Sequence, residues 1–395
     1  MPTATYHRLL RSLQGFVALG IVVVGAGCGA GAALPGGSGS DDRAPSNILK
    51  ALAGTSPTPV PVATGGVSKN GKFGVSLTPT GGLSAAQLRK LYGQTAANAY
   101  AVPTGPLIAV VDAFGYKAAA TDLAMYRATE GLPYCAPTAC ISTFSPKAMP
   151  GANTKPTAVD TTTWSDETAL DLAMVSTGCP TCRILLVETA GEDLDSLANG
   201  VAVAATYHPA AISTSWGVVE AGNVAGIDLT AQAAFSQPGI AITAAAGDLG
   251  QVQFPASSPF VTSVGGTSLT ADTASARGYD ETVWQQSATG CSTMFAAPSW
   301  MSGMACGAQR GPADVSFLAD FSPGIAVYSS VQGGWVVLGG TSAGAPFVAG
   351  LYGAANDYGL LTTGAPSIYL KRSLLNVVQG AAGTTLGTPN GLTGF

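Results

Sequence analysis

Charge and histidine are scarce in this chain. Asp, Glu, Lys and Arg together make up 10% of its 395 residues, and there are two histidines, His7 and His208. With a net charge of -5, the chain offers no basic face on which a polyanion could dock, so nucleic acid is excluded as a partner. A surface so poor in titratable groups changes its charge little as pH falls, which suits an acidic exterior. Long apolar runs are missing too, and no transmembrane span is expected. Internal repeats are absent. The shortage of histidine bears on chemistry. His7 lies in an N-terminal leader, and His208 sits in Thr206-Tyr-His-Pro209, which reads as a helix C-terminus or loop. A Ser-His-Asp arrangement therefore has one poorly placed candidate base. A serine nucleophile in this chain would pass its proton to a carboxylate.

What is present reads as three segments. Residues 1–27 look like an export signal: His7, Arg8 and Arg11 precede a short apolar stretch, Phe16 to Val24. Gly25-Ala-Gly-Cys28 has the form of a lipoprotein signal, with Gly25 where a Leu is usual. Lipid anchoring at Cys28 and simple secretion both stand. Residues 28–82 are rich in Gly, Ser and Pro and read as a linker with at most a short hairpin around Val67 to Leu77. Residues 83–395 form the folded domain, ample for a large core.

Of the seven cysteines, six besides Cys28 fall into sequence-local pairs: Cys135 with Cys140, Cys179 with Cys182, and Cys291 with Cys306. Three disulfides in an exported chain is the simple reading. Cys179-Pro-Thr-Cys182 also has the spacing of a redox or zinc motif. A zinc site would need further ligands, and no second such pair or nearby His supplies them.

From Leu83 onward the hydrophobic pattern alternates between strand and helix. Helices are expected at Ser84–Tyr92, Ala118–Glu130, Asp166–Ser176, Leu194–Tyr207 and Leu229–Ser236. Strands are expected at Leu107–Val111, Arg183–Val187, Ala211–Ser215 and Gly239–Ala245. Such alternation implies an α/β fold with a mostly parallel central sheet. Active groups in such folds gather at the C-terminal ends of the strands. Asp112, Trp216, Asp248 and Ser342 all fall at expected strand ends.

Three stretches carry candidate chemistry. Leu338-Gly-Gly-Thr-Ser342-Ala-Gly-Ala-Pro-Phe-Val-Ala-Gly350 follows a strand-like run (Trp335 to Leu338) and opens a helix running to about Asn356. It would set Ser342 on a helix's first turn, where free N–H groups favour negative charge. A plain serine N-cap fits the same residues. Glu167-Thr-Ala-Leu-Asp171 places two acids four apart, so they stack on one helix face with Cβ atoms about 5–6 Å apart. The rest of that helix is apolar almost all round. A buried pair sharing a proton, with one member raised enough to act as a base, is then an alternative to an exposed acidic face. Ser165 or Asp166 is a candidate cap. Asp248 closes Thr243-Ala-Ala-Ala-Gly-Asp-Leu-Gly250, either as a turn former or as a protonated carboxyl that donates to an oxyanion.

Together these residues resemble the sedolisins, the serine-carboxyl peptidases with a subtilisin-like fold. The resemblance runs from about Leu83 to Phe395. It rests on the three stretches above, on Phe254-Pro-Ala-Ser-Ser-Pro-Phe-Val-Thr-Ser-Val-Gly-Gly-Thr267 and on Ile212-Ser-Thr-Ser-Trp-Gly217, similar to the strand lining the family's substrate cleft. It implies a central sheet with helices on both faces and a monomer acting on proteins or peptides outside the cell. It further implies Ser342 as nucleophile, Glu167 as base, Asp171 as its proton-sharing partner and Asp248 in the oxyanion hole. Asp112 would be an acid linked to the pair, and Trp216 would pack behind the site. The chain departs from the family in two ways. Residues 28–82 are too short for the usual long prodomain. The usual Ca²⁺ site has Asn376 in place of an Asp in Asn376-Val-Val-Gln-Gly380, with a short acid-free loop, Ala381 to Thr385, after it. No metal ligand is therefore assigned, and a weakened or absent Ca²⁺ site is expected. The other reading is a non-catalytic relative, an exported or lipid-anchored binding protein.

Overall fold

The computed structural model describes residues 81–94, 105–134, 136, 139, 141–144, 163–221, 227, 229–355, 364–381, 383–392 and 395. The export signal, Cys28 and the hairpin around Val67 to Leu77 lie outside the described residues.

Seven parallel strands form the centre: β1 (Leu107–Ala113), β2 (Ile141–Phe144), β3 (Arg183–Thr189), β4 (Ala211–Thr214), β6 (Ala241–Ala245), β8 (Thr262–Ala271) and β10 (Val315–Leu318). Their order is β10-β8-β6-β4-β1-β3-β2, and β9 (Tyr279–Val283) adds antiparallel to β8. Two-stranded ribbons lie beside the sheet: β5 (Val218–Val219) with β7 (Gln253–Phe254), and β11 (Ile325–Ser329) with β12 (Gly334–Leu338).

Successive strand residues point to opposite faces, and the core divides accordingly. Ile108 and Val110 of β1, with Ile184 and Leu186 of β3, join one apolar cluster. That cluster takes in α1 (Ala85–Leu91), α2 (Ala119–Thr129), α3 (Thr163–Gly178), α6 (Gly344–Ala355) and Ile368 of α7 (Ala365–Leu370). Ala109, Val111, Leu185 and Val187 join a second cluster with α4 (Leu194–Ala205) and α5 (Leu229–Ala234). A sheet with apolar side chains on both faces needs helices on both. The fold is α/β and subtilisin-like.

Two expectations change in detail, and a third is met in part. The helix carrying Glu167 begins upstream of Ser165 and Asp166, so neither caps it. Asp166 is instead buried and accepts from Ser329 Oγ (2.6 Å) and Gln332 Nε2 (2.5 Å), clasping the β11–β12 turn. The strand before Ser342 is the second arm of that ribbon, not a member of the central sheet. The apolar run Trp335–Leu338 packs in the core either way, so its hydrophobicity could not distinguish the two. The third expectation concerns the cysteines. Cys179 and Cys182, just past α3, form a disulfide, and Cys291 and Cys306 form another. These are two of the three expected bridges. Cys135 and Cys140 both lie outside the described residues, and no disulfide between Cys135 and Cys140 is assigned.

α3 is buried along its whole described length. It meets α6 where Gly178 and Gly350 let the backbones touch. A Cβ on Gly178 would lie 2.4 Å from the Phe347 carbonyl oxygen, and one on Gly350 would lie 2.9 Å from that of Val175. This close crossing brings the helix of the two acids against the helix that Ser342 opens.

At the β10 edge of the sheet, the fully buried Arg310 grips Asp314 through two N–H···O bonds of 2.7 and 2.6 Å. Asp314 also accepts from Ser263 N and Tyr369 Oη, tying β8 and α7 to the start of β10. Removing one member of such a pair strands the other charge in the core. Arg310→Met is therefore expected to cost about 3–5 kcal/mol of stability in urea unfolding. A cost within about 0.5 kcal/mol, the range of an ordinary surface change, would contradict this.

Candidate active site

Ser342 stands on a 3₁₀ turn, Thr341–Ala343, between β12 and α6. The turn is entered through Gly340, whose φ of +93° places it where L side chains are strained. Ser342 is fully buried. Its Oγ donates weakly to the Ser215 carbonyl (3.5 Å), and the Ser215 hydroxyl lies 3.3 Å from the Ser342 carbonyl.

Four carboxyls gather around it. Glu167 and Asp171 come from one face of α3, Asp112 from the end of β1, and Asp248 from the turn after β6. Ser342 and Asp171 are the hydrogen-bonding side chains against Glu167. Both Glu167 oxygens are nonetheless buried without a closed hydrogen bond of ordinary geometry. Such looseness is common where a contact tightens only on substrate binding. Asp171 accepts from the Ser215 hydroxyl at 2.9 Å. That serine thus joins the acid pair to the backbone of the Ser342 turn.

Burial is the first cause of the electrostatics. It lifts the carboxyls of Glu167 and Asp171 well above the usual range, and the Asp112 charge adds to the lift in both. Asp112 is pushed up to about 7 by burial, opposed by the nearby Thr168 hydroxyl, with Glu188 adding repulsion; the Thr168 hydroxyl itself donates to the Trp164 carbonyl at 2.8 Å. Asp248 is also pushed up to about 7 by burial, opposed by Thr341. Burial in a site whose charged neighbours are other acids favours the neutral forms.

Asp248 is aimed with care. Its Oδ1 accepts from Thr341 N (2.9 Å) and Thr341 Oγ1 (2.6 Å), while Thr341 Oγ1 accepts from Gly247 N (3.0 Å). Its Oδ2 is buried and has no partner among the described residues. A protonated Oδ2 would be a free donor against Gly340, at the entry to the Ser342 turn.

Trp216 is buried, but its indole N–H goes to the Val111 carbonyl (2.8 Å), not to a carboxylate. It braces the end of β1, next to Asp112. His208 is exposed just past α4, with φ +50° and its N–H on Ala205 O; it takes no part in the site. Ser215, Thr341 and Thr168 were not singled out from the sequence. Ser215 lies inside the Ile212–Gly217 stretch noted there, and its serine is the one polar signal that could have marked it.

The residues at the expected Ca²⁺ site do not fit a hard cation, which takes six or more oxygens. Asn376 Nδ2 donates to the Pro389 carbonyl, and the Asn376 backbone pairs in both directions with Thr388. Among the described residues no group of three or more His, Cys, Asp or Glu side chains could hold a metal.

Comparison with known proteins places these features. No family model matches the chain. Over 263 residues it is 32% identical to kumamolisin of Bacillus sp. (strain MN-32), an alignment covering 58% of this chain and 45% of kumamolisin. Over that stretch the chain is similar to a member of the sedolisin family. It spans less than half the length of that curated relative. Among solved structures it is similar to a Pseudomonas sedolisin (serine-carboxyl proteinase) complexed with two molecules of pseudo-iodotyrostatin. The TM-score is 0.61 at 22% identity, covering 76% of this chain and 89% of that one. That likeness shows the shared sedolisin fold, and the sequence relation to kumamolisin runs alongside it.

Two outcomes follow. A Cβ on Gly340 would lie 2.6 Å from Asp248 Oδ2, on a backbone already at positive φ. Gly340→Ala should therefore destabilise the fold by about 1–3 kcal/mol in denaturant unfolding. A neutral effect would mean that the turn gives way freely. The second outcome concerns pH. Asp112 and Asp248 hold their protons to about 7 when folded, whereas the unfolded chain releases them near pH 4. The folded state binds more protons in that window, so their contribution is full below about pH 4 and lost as pH rises through about 7. The melting temperature should fall between those limits, and less steeply in Asp248→Asn. A melting temperature that rises with pH there would contradict the assignment.

Proposed function

We propose that the chain is an exported serine-carboxyl endopeptidase that hydrolyses peptide bonds in acid through Ser342, Glu167 and Asp171, with Asp248 in the oxyanion hole. The observation that carries this reading is the setting of Glu167. It lies in a dry pocket between the Ser342 hydroxyl and Asp171, and the unpaired Asp248 Oδ2 faces the same turn. The relation to kumamolisin supports it.

Ser342 Oγ attacks the scissile carbonyl carbon, and its proton passes to the Glu167 carboxylate. Asp171 shares that proton and steadies Glu167, a part filled by Asp and His in the familiar serine triad. As the C–O bond forms, the carbonyl π electrons move onto oxygen, and protonated Asp248 donates to it. Collapse of this intermediate expels the amine, which takes the proton from Glu167. Water, deprotonated by Glu167, then attacks the acyl carbon; as this second intermediate collapses, Ser342 Oγ leaves and takes the proton back from Glu167. Asp112 adds a fourth carboxyl that keeps protons in the cluster, and Trp216 holds the strand end that bears it.

The working state has Glu167 ionised and Asp248 protonated. The cluster loses protons stepwise as one coupled unit. Activity is therefore limited in strong acid by protonation of the Glu167 unit, and it is lost as pH rises through about 7, where Asp248 ionises. The substrates are proteins or peptides. The chain acts as a monomer outside the cytoplasm, released or held by a lipid on Cys28. No helix among the described residues is long and apolar enough to cross a membrane. No step requires a metal.

The test is cleavage of a denatured protein between about pH 2 and 8. Wild type should cleave in acid, and Ser342→Ala and Glu167→Ala should not. Asp248→Ala should lose on the order of 10²–10³ in kcat. Cleavage that survives Ser342→Ala would refute the mechanism. A folded wild type that cleaves nothing would favour the non-catalytic binding protein.

A further inference from the structure

One buried polar side chain next to this site has no part in the mechanism above. Gln253 opens β7, where it lies opposite Val219 of β5. Phe254 anchors the ribbon through an edge contact with Phe235 and a stacked contact with Phe295. The Gln253 carbonyl accepts from Ser257 N at 2.9 Å. Its side chain, in a residue only 3% exposed, runs between the backbones of Gly217 and Gly247. A Cβ on Gly217 would lie 2.8 Å from its Oε1, and one on Gly247 would lie 2.6 Å from Oε1 and 2.9 Å from Nε2. Those two glycines flank the reacting groups. Gly247 precedes Asp248, and Gly217 follows Ser215-Trp216, the stretch whose Ser215 carbonyl meets Ser342 Oγ. The Gln253 Oε1 is buried and has no hydrogen-bond partner among the described residues.

A native interior rarely leaves a buried amide oxygen unpaired, and each such group calls for an explanation. Here the neighbouring site supplies one. Gly217 and Gly247 lie between the Gln253 carboxamide and the segments that bear Ser215 and Asp248, the groups that meet Ser342 and its turn. A carboxamide offers a donor and an acceptor side by side and carries no charge. Its best complement has the same pair: another carboxamide or a protonated carboxylic acid. An aliphatic side chain would leave the amide unpaired. A lysine would bring a charge with no counter-ion.

We infer that the side chain of the substrate residue before the scissile bond lies against Gly217 and Gly247, and that Gln253 is the specificity-determining residue of this site, selecting substrates in which that residue is glutamine or asparagine, or glutamic acid in its protonated form. This rests on the peptidase reading above. Gln253 reads the substrate and takes no part in the bond changes.

The test compares kcat/KM for four peptides identical except for glutamine, glutamic acid, norleucine or lysine at that residue. Wild type is expected to favour glutamine over norleucine by about 10–100-fold. Gln253→Met, of similar length but without the amide, should reverse that order, and Gln253→Ala should abolish it. The glutamic acid peptide should match glutamine in acid and lose its advantage as pH rises past about 4.3, where its side chain ionises. A merely structural residue would not produce that pH dependence. Thermal melts establish that each variant folds. Should the first two not fold, Gln253→Asn, which keeps the amide, is expected to retain the preference at a lower rate. Equal preference in wild type and a folded Met or Ala variant, with all peptides still cleaved, would overturn the inference and leave the peptidase reading intact. Loss of the preference in Gln253→Asn would overturn it too. A folded wild type that cleaves none of the four would overturn both.

Discussion

Four carboxyl groups share one dry pocket, and among the described residues no positive side chain answers them. Glu167, Asp171, Asp112 and Asp248 are all buried, and the charges that act on Glu167 and Asp171 are those of the other acids. Such a cluster survives only by holding protons. Burial raises each group, repulsion from the neighbouring acids raises Glu167 and Asp171 further, Glu188 raises Asp112, and hydroxyls of Ser215, Thr168 and Thr341 pull partly the other way. The protein thereby trades stability toward neutral pH for a set of protons that can be moved. A pocket of this kind has little use in a structural core, where paired or apolar residues would pack more favourably.

The architecture keeps that pocket closed and aligned. Helix α3 is buried on every side of its described length because it runs between the sheet, the Ser342 helix and the β11–β12 ribbon. Two glycines at the α3–α6 crossing remove the side chains that would hold the helices apart. Asp166 fixes the ribbon to α3, so the strand entering the Ser342 turn is tied to the helix of the two acids. Thr341 binds that turn to Asp248. The acid pair, Asp112 and Asp248 therefore reach the serine from three different rigid elements.

Much of this was legible in the chain of letters. The strand–helix alternation gave the sheet, because apolar runs of strand length separated by helical periods leave few other folds. Glu167 and Asp171 were readable as a pair because a spacing of four fixes them on one helix face, and an apolar helix around them signals burial. Ser342 and Asp248 were readable from their glycine-rich turns. The shortage of histidine pointed to a carboxylate as the group that would take a serine's proton. Other features were hidden for physical reasons. The strand before Ser342 is buried in a ribbon, not in the sheet, and hydropathy is the same in both. Ser215, Thr341 and Gln253 act through partners far away in sequence, and a lone serine, threonine or glutamine carries no periodic signal. The weak closure between Glu167 and Ser342 is a matter of side-chain geometry that no pattern encodes.

The central claim is that Ser342 forms a bond to the substrate carbon while Asp248 receives the oxygen. A crystal structure of the protein soaked at acid pH with a peptide aldehyde tests it most directly. The account predicts a covalent bond from Ser342 Oγ to the aldehyde carbon, the new hydroxyl within hydrogen-bond distance of Asp248 Oδ2, and Glu167 closed onto Ser342 Oγ. An aldehyde bound without a bond to Ser342, or bonded with its oxygen turned away from Asp248, would contradict it.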